Sequence, residues 1–310
     1  MKNIFILLTF FAVTFIANAQ EIYTKIFGNS DSKPVIFLHG GPGYNSVSFE
    51  RTSAQKLADN GFYVIVYDRR GEGRSEDKDA KFTFQETFND LQTIYNKFGL
   101  KKVTLIGHSF GGIIATLFAE KYPENINTIV LVSTPISLQE TFKTIIRKTK
   151  SIYQSKEDNV NWNYINLLEN MNVGALQYSS YCFAHAMQNG FYSTRNPNHL
   201  AKNIYATFKT DDLLSKFASK MDYNAAQGFW NNEKYTTLDI TENLSRLKSK
   251  NLKIYGFYGT DDGLFSSEQI TTFRNIVGND NAKYLENCSH NVYIDQQQIF
   301  IETLNKWISK

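Results

Sequence analysis

The run Gly107-His108-Ser109-Phe110-Gly111-Gly112 constrains this chain more than any other feature. It lies between a short apolar, β-branched run, Val103–Ile106, and an apolar helical stretch, Ile113–Tyr122, that ends at Pro123. A G-x-S-x-G between a strand and a helix predicts a sharp bend with the serine at its apex. Side chains two positions either side of Ser109 would collide with backbone in so tight a turn, so glycine is needed there. The bend lifts the Ser109 hydroxyl clear of the strand. The helix N-terminus below it favours developing negative charge. An ordinary glycine-rich turn is the plainer alternative, and the strand–turn–helix context argues against it.

Other short apolar runs repeat the pattern. Val35–Leu38, Phe62–Tyr67, Val103–Ile106, Thr128–Val132, Leu252–Tyr258 and, more weakly, Lys283–Leu285 read as strands buried on both faces. Between them, Phe84–Phe98 carries an apolar stripe of helical period, and Ile113–Tyr122 and Phe300–Ile308 are further helices. Alternating strands and helices predict an α/β fold, a mostly parallel sheet flanked by helices. The rhythm fails over 135–237, which is helical in composition and rich in aromatics, among them Tyr153, Tyr164, Tyr181, Phe229 and Trp230. Insertions after a strand's carboxyl end border the ligand crevice, so this segment is expected to be a helical lid. The expected division is 1–19 as a leader, 20–134 and 238–310 as two parts of one core, and 135–237 as the lid.

The leader expectation rests on Lys2, an apolar run from Ile4 to Ile16 and Ala17-Asn18-Ala19, the pattern of a cleaved signal peptide. It predicts export to a periplasm or the medium. The run is short for a membrane span, so no stable membrane partner is expected, with an uncleaved membrane anchor as the alternative. The net charge of +3 and the absence of dense basic runs argue against nucleic acid. The stretch Lys143, Arg147, Lys148, Lys150 reads as a solvated helix face. Cys182 and Cys288 are expected as buried free thiols, with a disulfide as the alternative. No His/Cys/Asp cluster has metal-ligand spacing, and no phosphate-binding loop appears, so neither metal nor cofactor is expected.

A second glycine-rich loop, His39-Gly40-Gly41-Pro42-Gly43, follows the strand Val35–Leu38. Consecutive glycines let a backbone N–H approach a ligand oxygen. Gly41 is the candidate there, with the Phe110 N–H as the second donor to an oxyanion. A serine nucleophile needs a base near the chain's end, preceded by an acid. Of five histidines, His39 and His108 belong to the loops, while His185 and His199 fall in the insertion. His290, after the last strand, remains. The acid is Asp262 or Asp261. Asp262 is preferred, and Asp261 is expected to cap the next helix.

This set resembles the α/β-hydrolase superfamily over most of the chain beyond the leader. More narrowly it resembles the proline iminopeptidase branch, through His39-Gly40-Gly41-Pro42-Gly43 and through Asp68-Arg69-Arg70-Gly71-Glu72-Gly73-Arg74-Ser75, which fits a D-x-R-G-x-G-x-S pattern. Read from its residues, the latter is a structural turn whose charges tie loops together. The resemblance implies a Ser109–Asp262–His290 triad, Gly41 and Phe110 as oxyanion donors, and a small peptide or acyl substrate. Many members of that branch carry Gly-Gly-Ser-Trp-Gly-Ser at the bend. The form here is shared with esterases. An aminopeptidase must also pair the substrate's α-ammonium with a carboxylate. Glu233 is the first candidate and Glu169 the second, each with a solvated surface acid as its plainer reading. A carboxylesterase or lactonase, and a non-catalytic binding protein on the same fold, are the alternatives.

Overall fold

The computed structural model describes residues 21–308. The expected leader, 1–19, lies outside them. Seven strands form one sheet: β1 (Thr24–Phe27), β2 (Lys33–Leu38), β3 (Phe62–Tyr67), β4 (Val103–His108), β5 (Ile126–Val132), β6 (Lys253–Gly259) and β7 (Ala282–Leu285). Their order is β1-β3-β2-β4-β5-β6-β7, and every pairing is parallel except β1 with β3.

The helices are α1 (Val47–Phe49), α2 (Gln55–Asp59), α3 (Phe84–Lys97), α4 (Phe110–Lys121), α5 (Leu138–Ser155), α6 (Asn159–Leu168), α7 (Leu176–Gln188), α8 (His199–Thr207), α9 (Asp212–Phe217), α10 (Tyr223–Glu233), α11 (Thr241–Ser249), α12 (Ser267–Val277), α13 (Val292–Asp295) and α14 (Gln297–Ile308). Side chains alternate along each strand, so the sheet feeds two cores. Ile36 and Leu38 join the core under α3, α4, α11 and α12, and Val35 and Phe37 join the core under α1, α13 and α14. Both faces are covered, which is why the strands read as unbroken apolar runs.

The strand β1 escaped the sequence reading. It is a four-residue edge strand, only partly buried, and carries no apolar run. The short helices at 47–59 also escaped it. The helix α4 starts at Phe110, three residues before the expected Ile113, because the bend places Ser109 directly at its N-cap.

Between β5 and β6 the chain runs through α5 to α11, of which α5 to α10 form the insertion. An antiparallel bridge, Ser137 to Asp239, closes the base of this insertion. The bonds Leu138 N–H to Leu238 O (3.0 Å) and Ile240 N–H to Ile136 O (2.8 Å) flank it. Phe142 packs edge-on against Tyr178 and Phe183 at its centre. Two of the aromatics that mark this segment in the sequence, Tyr164 and Tyr181, face solvent, each more than half exposed. Cys182 and Cys288 are free and buried. No helix among the described residues is long and apolar enough to cross a membrane.

Candidate active site

The carboxyl ends of the parallel strands converge on one edge of the sheet, the usual crevice of an open α/β fold. There β4 delivers Ser109, β2 delivers His39 to Gly43, β6 delivers Asp261 and Asp262, and β7 leads to His290.

Ser109 has φ 52° and ψ −122°, a conformation that L residues rarely adopt. Its N–H donates to Val132 O (2.8 Å), and its carbonyl accepts from Gly112 N–H (2.9 Å). The glycines around it have no room for a side chain. A Cβ on Gly107 would stand 2.4 Å from Gly112 Cα, and one on Gly111 would stand 2.2 Å from Leu38 O. The steric requirement expected at these two positions is therefore met by backbone on both sides.

His290 Nδ1 and Asp262 Oδ2 are 2.8 Å apart, and both residues are buried. The carboxylate oxygen accepts from Nδ1–H, which leaves Nε2 as the outer ring nitrogen. Asp262 Oδ1 accepts a second bond from Leu264 N–H (3.1 Å). The His290 ring packs against His108, with centroids 4.9 Å apart. His108 Nε2 donates to the His290 carbonyl (3.0 Å), which ties residue 290 to the bend. Burial and the neighbouring His290 push the His108 pKa down to about 3, so His108 is neutral. No hydrogen bond joins Ser109 Oγ to His290 Nε2 in this structure. Catalytic hydrogen bonds are often long before substrate binds.

Asp261 does not cap α12, which is capped by Ser266. Its carboxylate accepts from Thr194 Oγ1 of the insertion (2.5 Å). The preference for Asp262 thus follows from which acid reaches the ring.

Neither Gly41 N–H nor Phe110 N–H has an acceptor among the described residues. Phe110 opens α4, where the first N–H groups lack intrahelical partners. Gly41 has φ +122°, which glycine alone takes readily. A Cβ on Gly40 would stand 3.2 Å from Ser109 Cβ, so this loop lies directly beside the bend.

The insertion packs against the residues of the site. The Phe229 ring of α10 packs on Phe110 (5.3 Å) and Phe84 (5.9 Å), and Tyr235 also meets Phe110 (5.4 Å). Tyr192 packs edge-on against His290 (5.1 Å). Its carbonyl accepts from Ser289 Oγ, and the Phe191 carbonyl accepts from Gly263 N–H, each at 2.9 Å.

The two acids considered for an ammonium lie differently. Glu169 is in an exposed ion pair with Lys150 (2.7 Å). Glu233, half-buried on α10, accepts Phe84 N–H at the start of α3 (2.7 Å). Lys148 departs from the expected solvated face. It turns inward, donates to Phe265 O (2.8 Å), and has its pKa lowered by burial. A cavity of about 330 Å³ opens nearby, lined by Gly43, Gly71, Phe82, Lys220 and Asp222 among others, but not by Ser109 or His290. Among the described residues no group of three or more His, Cys, Asp or Glu could hold a metal ion.

Sequence reasoning missed Arg69 and Glu72 as parts of the site. Both are buried, and Arg69 hydrogen-bonds the carbonyls of His39 and Gly40. The charged residues of the 68–75 stretch were visible in the sequence, but not the loop they grip, which lies about thirty residues upstream.

Known proteins share this fold. The profile of the alpha/beta hydrolase fold family matches residues 33–297. The chain is 25% identical over 301 residues to a proline iminopeptidase of Lactobacillus crispatus, covering 94% of this chain and 95% of that one. It is 24% identical to the proline iminopeptidase PfmaB of Pestalotiopsis fici, covering 94% and 98%. Among solved structures, a proline iminopeptidase-related protein from Thermus thermophilus superposes with a TM-score of 0.65 at 18% identity, covering 94% of each chain. An esterase from Exiguobacterium antarcticum superposes with a TM-score of 0.62 at 18% identity, covering 93% and 96%. With its sheet, its strained serine bend and these relatives together, the chain belongs to the α/β-hydrolase fold family and resembles the proline iminopeptidase branch within it.

Proposed function

We propose that this protein is an exported serine hydrolase in which Ser109 attacks a carbonyl carbon, His290 takes and returns the proton, and Asp262 holds His290. The observation that carries this reading is the Nδ1–Asp262 hydrogen bond at 2.8 Å, which leaves Nε2 unbonded on a ring anchored beside the bend. As Ser109 Oγ bonds to the carbonyl carbon, its proton passes to Nε2. The carbonyl oxygen gains the electron pair and accepts from the N–H groups of Gly41 and Phe110. The tetrahedral centre then collapses. The bond to the leaving nitrogen or oxygen breaks, and that atom takes the proton from His290. Water repeats the sequence on the acyl-enzyme and frees Ser109.

The preferred substrate is a peptide with an N-terminal proline or another small residue, by kinship with the iminopeptidases at about a quarter identity over nearly the whole chain. Of the two candidate acids, Glu233 is the better placed to meet an ammonium. It sits on α10, whose Phe229 packs on Phe110, whereas Glu169 is on an exposed pair. A second reading, an esterase or lactonase for small acyl groups, is favoured by one contact: the Glu233 carboxylate is already engaged by Phe84 N–H. Turnover of prolyl p-nitroanilide against p-nitrophenyl butyrate separates the two. Higher kcat/KM on the anilide, lost in Glu233→Gln, supports the aminopeptidase. Good ester turnover with none on the anilide supports the esterase. Export is proposed from the leader alone, and its test is whether the secreted or periplasmic chain begins near Gln20.

A further inference from the structure

We infer that Arg69 and His39 are positioning residues that lock the Gly40–Gly41 peptide plane, so that its N–H is held ready as an oxyanion donor. The inference rests on the reading of Ser109 as nucleophile. A trans peptide is planar, with its carbonyl and N–H on opposite sides. Fixing the Gly40 oxygen therefore fixes the Gly41 hydrogen.

The Gly40 oxygen accepts two bonds. Arg69 Nη2 donates at 2.6 Å. His39 Nδ1 lies at 2.9 Å, and it carries the ring proton because His39 Nε2 accepts from Arg69 N–H at 3.0 Å. Both lone pairs of that carbonyl are thus occupied. Arg69 Nη1 also donates to His39 O, so one guanidinium spans two successive carbonyls of the loop. Hydrogen bonds to a carbonyl polarise the peptide and strengthen the donor on its far side. Glu72 holds the guanidinium from behind, with Nη2 to Oε2 at 2.7 Å and Nε to Oε1 at 3.2 Å. The guanidinium carbon stands 5.6 Å from the centre of the Phe110 ring. One cation therefore holds the carbonyl side of the Gly40–Gly41 peptide and stands over the ring of Phe110.

Arg69 and Glu72 fill variable positions of the D-x-R-G-x-G-x-S stretch, so the resemblance does not dictate them. A buried ion pair is a weak source of stability compared with apolar side chains of the same volume. Here its geometry serves the loop: the guanidinium's fork matches two carbonyls and one carboxylate, which a lysine's point charge could not bridge.

The test compares Arg69→Gln/Glu72→Gln, which removes both charges together, with the unaltered protein on p-nitrophenyl acetate. The expected result is a fall in kcat of about 10- to 100-fold, short of the loss from deleting an oxyanion donor outright. KM is expected to stay within about threefold, because the interaction is made in the transition state. Inhibition by phenylboronic acid, which forms a tetrahedral adduct on a serine oxygen, should weaken by the same factor as kcat. Arg74→Gln, which cuts a largely buried ion-pair network in the same turn without touching the Gly40 carbonyl, should lower the urea midpoint and keep kcat. Should the double variant not fold, Arg69→Lys, which keeps the charge opposite Glu72, takes its place with the same readouts. Unchanged kcat and boronate affinity, or a loss confined to KM, overturns the inference. An unaltered protein that neither turns over the ester nor reacts at Ser109 overturns the nucleophile reading, and this inference with it.

Discussion

The two halves of the site are held in place by different means. The half built on the sheet is over-determined. Ser109 is kept at a rare backbone angle by glycines whose missing side chains are replaced by backbone 2.2–2.4 Å from an ideal Cβ, and the neighbouring loop is gripped by a buried guanidinium. The half built by the insertion relies on ring packing and a few polar ties, such as Ser289 Oγ to Tyr192 O and Thr194 to Asp261. Its outer face leaves Val160, Tyr164 and Leu167 exposed at helical spacing along α6. Under the proposed function, proton transfer and oxyanion stabilisation, which fail with displacements of about 1 Å, fall on the rigid half. Recognition of an acyl group or an N-terminal residue tolerates a softer wall.

The comparison breaks first at the nucleophile. Ser109→Ala should lower kcat by about 10⁴-fold or more with little change in melting temperature, measured on the better of the anilide and ester substrates. Asp262→Asn should follow with a loss of about 10³- to 10⁴-fold, because the amide favours the wrong tautomer of His290. Equal activity in either variant would move the chemistry off the sheet. Phe229→Ala should cost about 3 kcal/mol in urea unfolding, since a buried ring spanning α10, Phe84 and Phe110 is lost. If the insertion were only loosely docked, the cost would be a few tenths.

Acid sharpens the contrast further. His39 is buried beside Arg69, and both effects hold its pKa well below the usual value; burial and His290 bring His108 to about 3. The unfolded chain binds protons at these histidines below about pH 6.5, while the folded chain does not. The stability they contribute is therefore complete above that pH and is lost as pH falls toward the folded values. Each should add roughly 1.4 kcal/mol per pH unit to the acid slope. Urea titrations between pH 7 and 4 should show a shallower slope in His108→Gln. An unchanged slope would mean that the ring already protonates in the folded state. The smallest effect belongs to the insertion's surface: Leu167→Ser should change stability by less than about 0.5 kcal/mol.

What could be read from the sequence follows the same division. The placement of Ser109, Asp262, His290 and the two glycine-rich loops was legible because each follows the carboxyl end of a strand, and strands of this kind announce themselves as short apolar runs. The requirement for glycine at 107 and 111 was legible because it is a local steric rule. Contacts between distant segments were not. Arg69 reaches the carbonyls of residues 39 and 40, Lys148 turns in toward Phe265, and Glu233 ends on the N–H of Phe84; a charged residue's neighbours leave no local periodicity. Edge strand β1 carried too little apolar character to stand out. The outward turn of Tyr164 and Tyr181 was hidden because an aromatic-rich helix does not reveal which face its rings occupy.

The central claim is that the hydroxyl of Ser109 is the reacting group and depends on His290. Intact-mass spectrometry after treatment with a fluorophosphonate, with the adduct mapped by peptide fragmentation, tests it most directly. The account predicts one adduct on Ser109, absent in Ser109→Ala and formed far more slowly in His290→Gln. An adduct on another residue, or none on the folded protein, would contradict it.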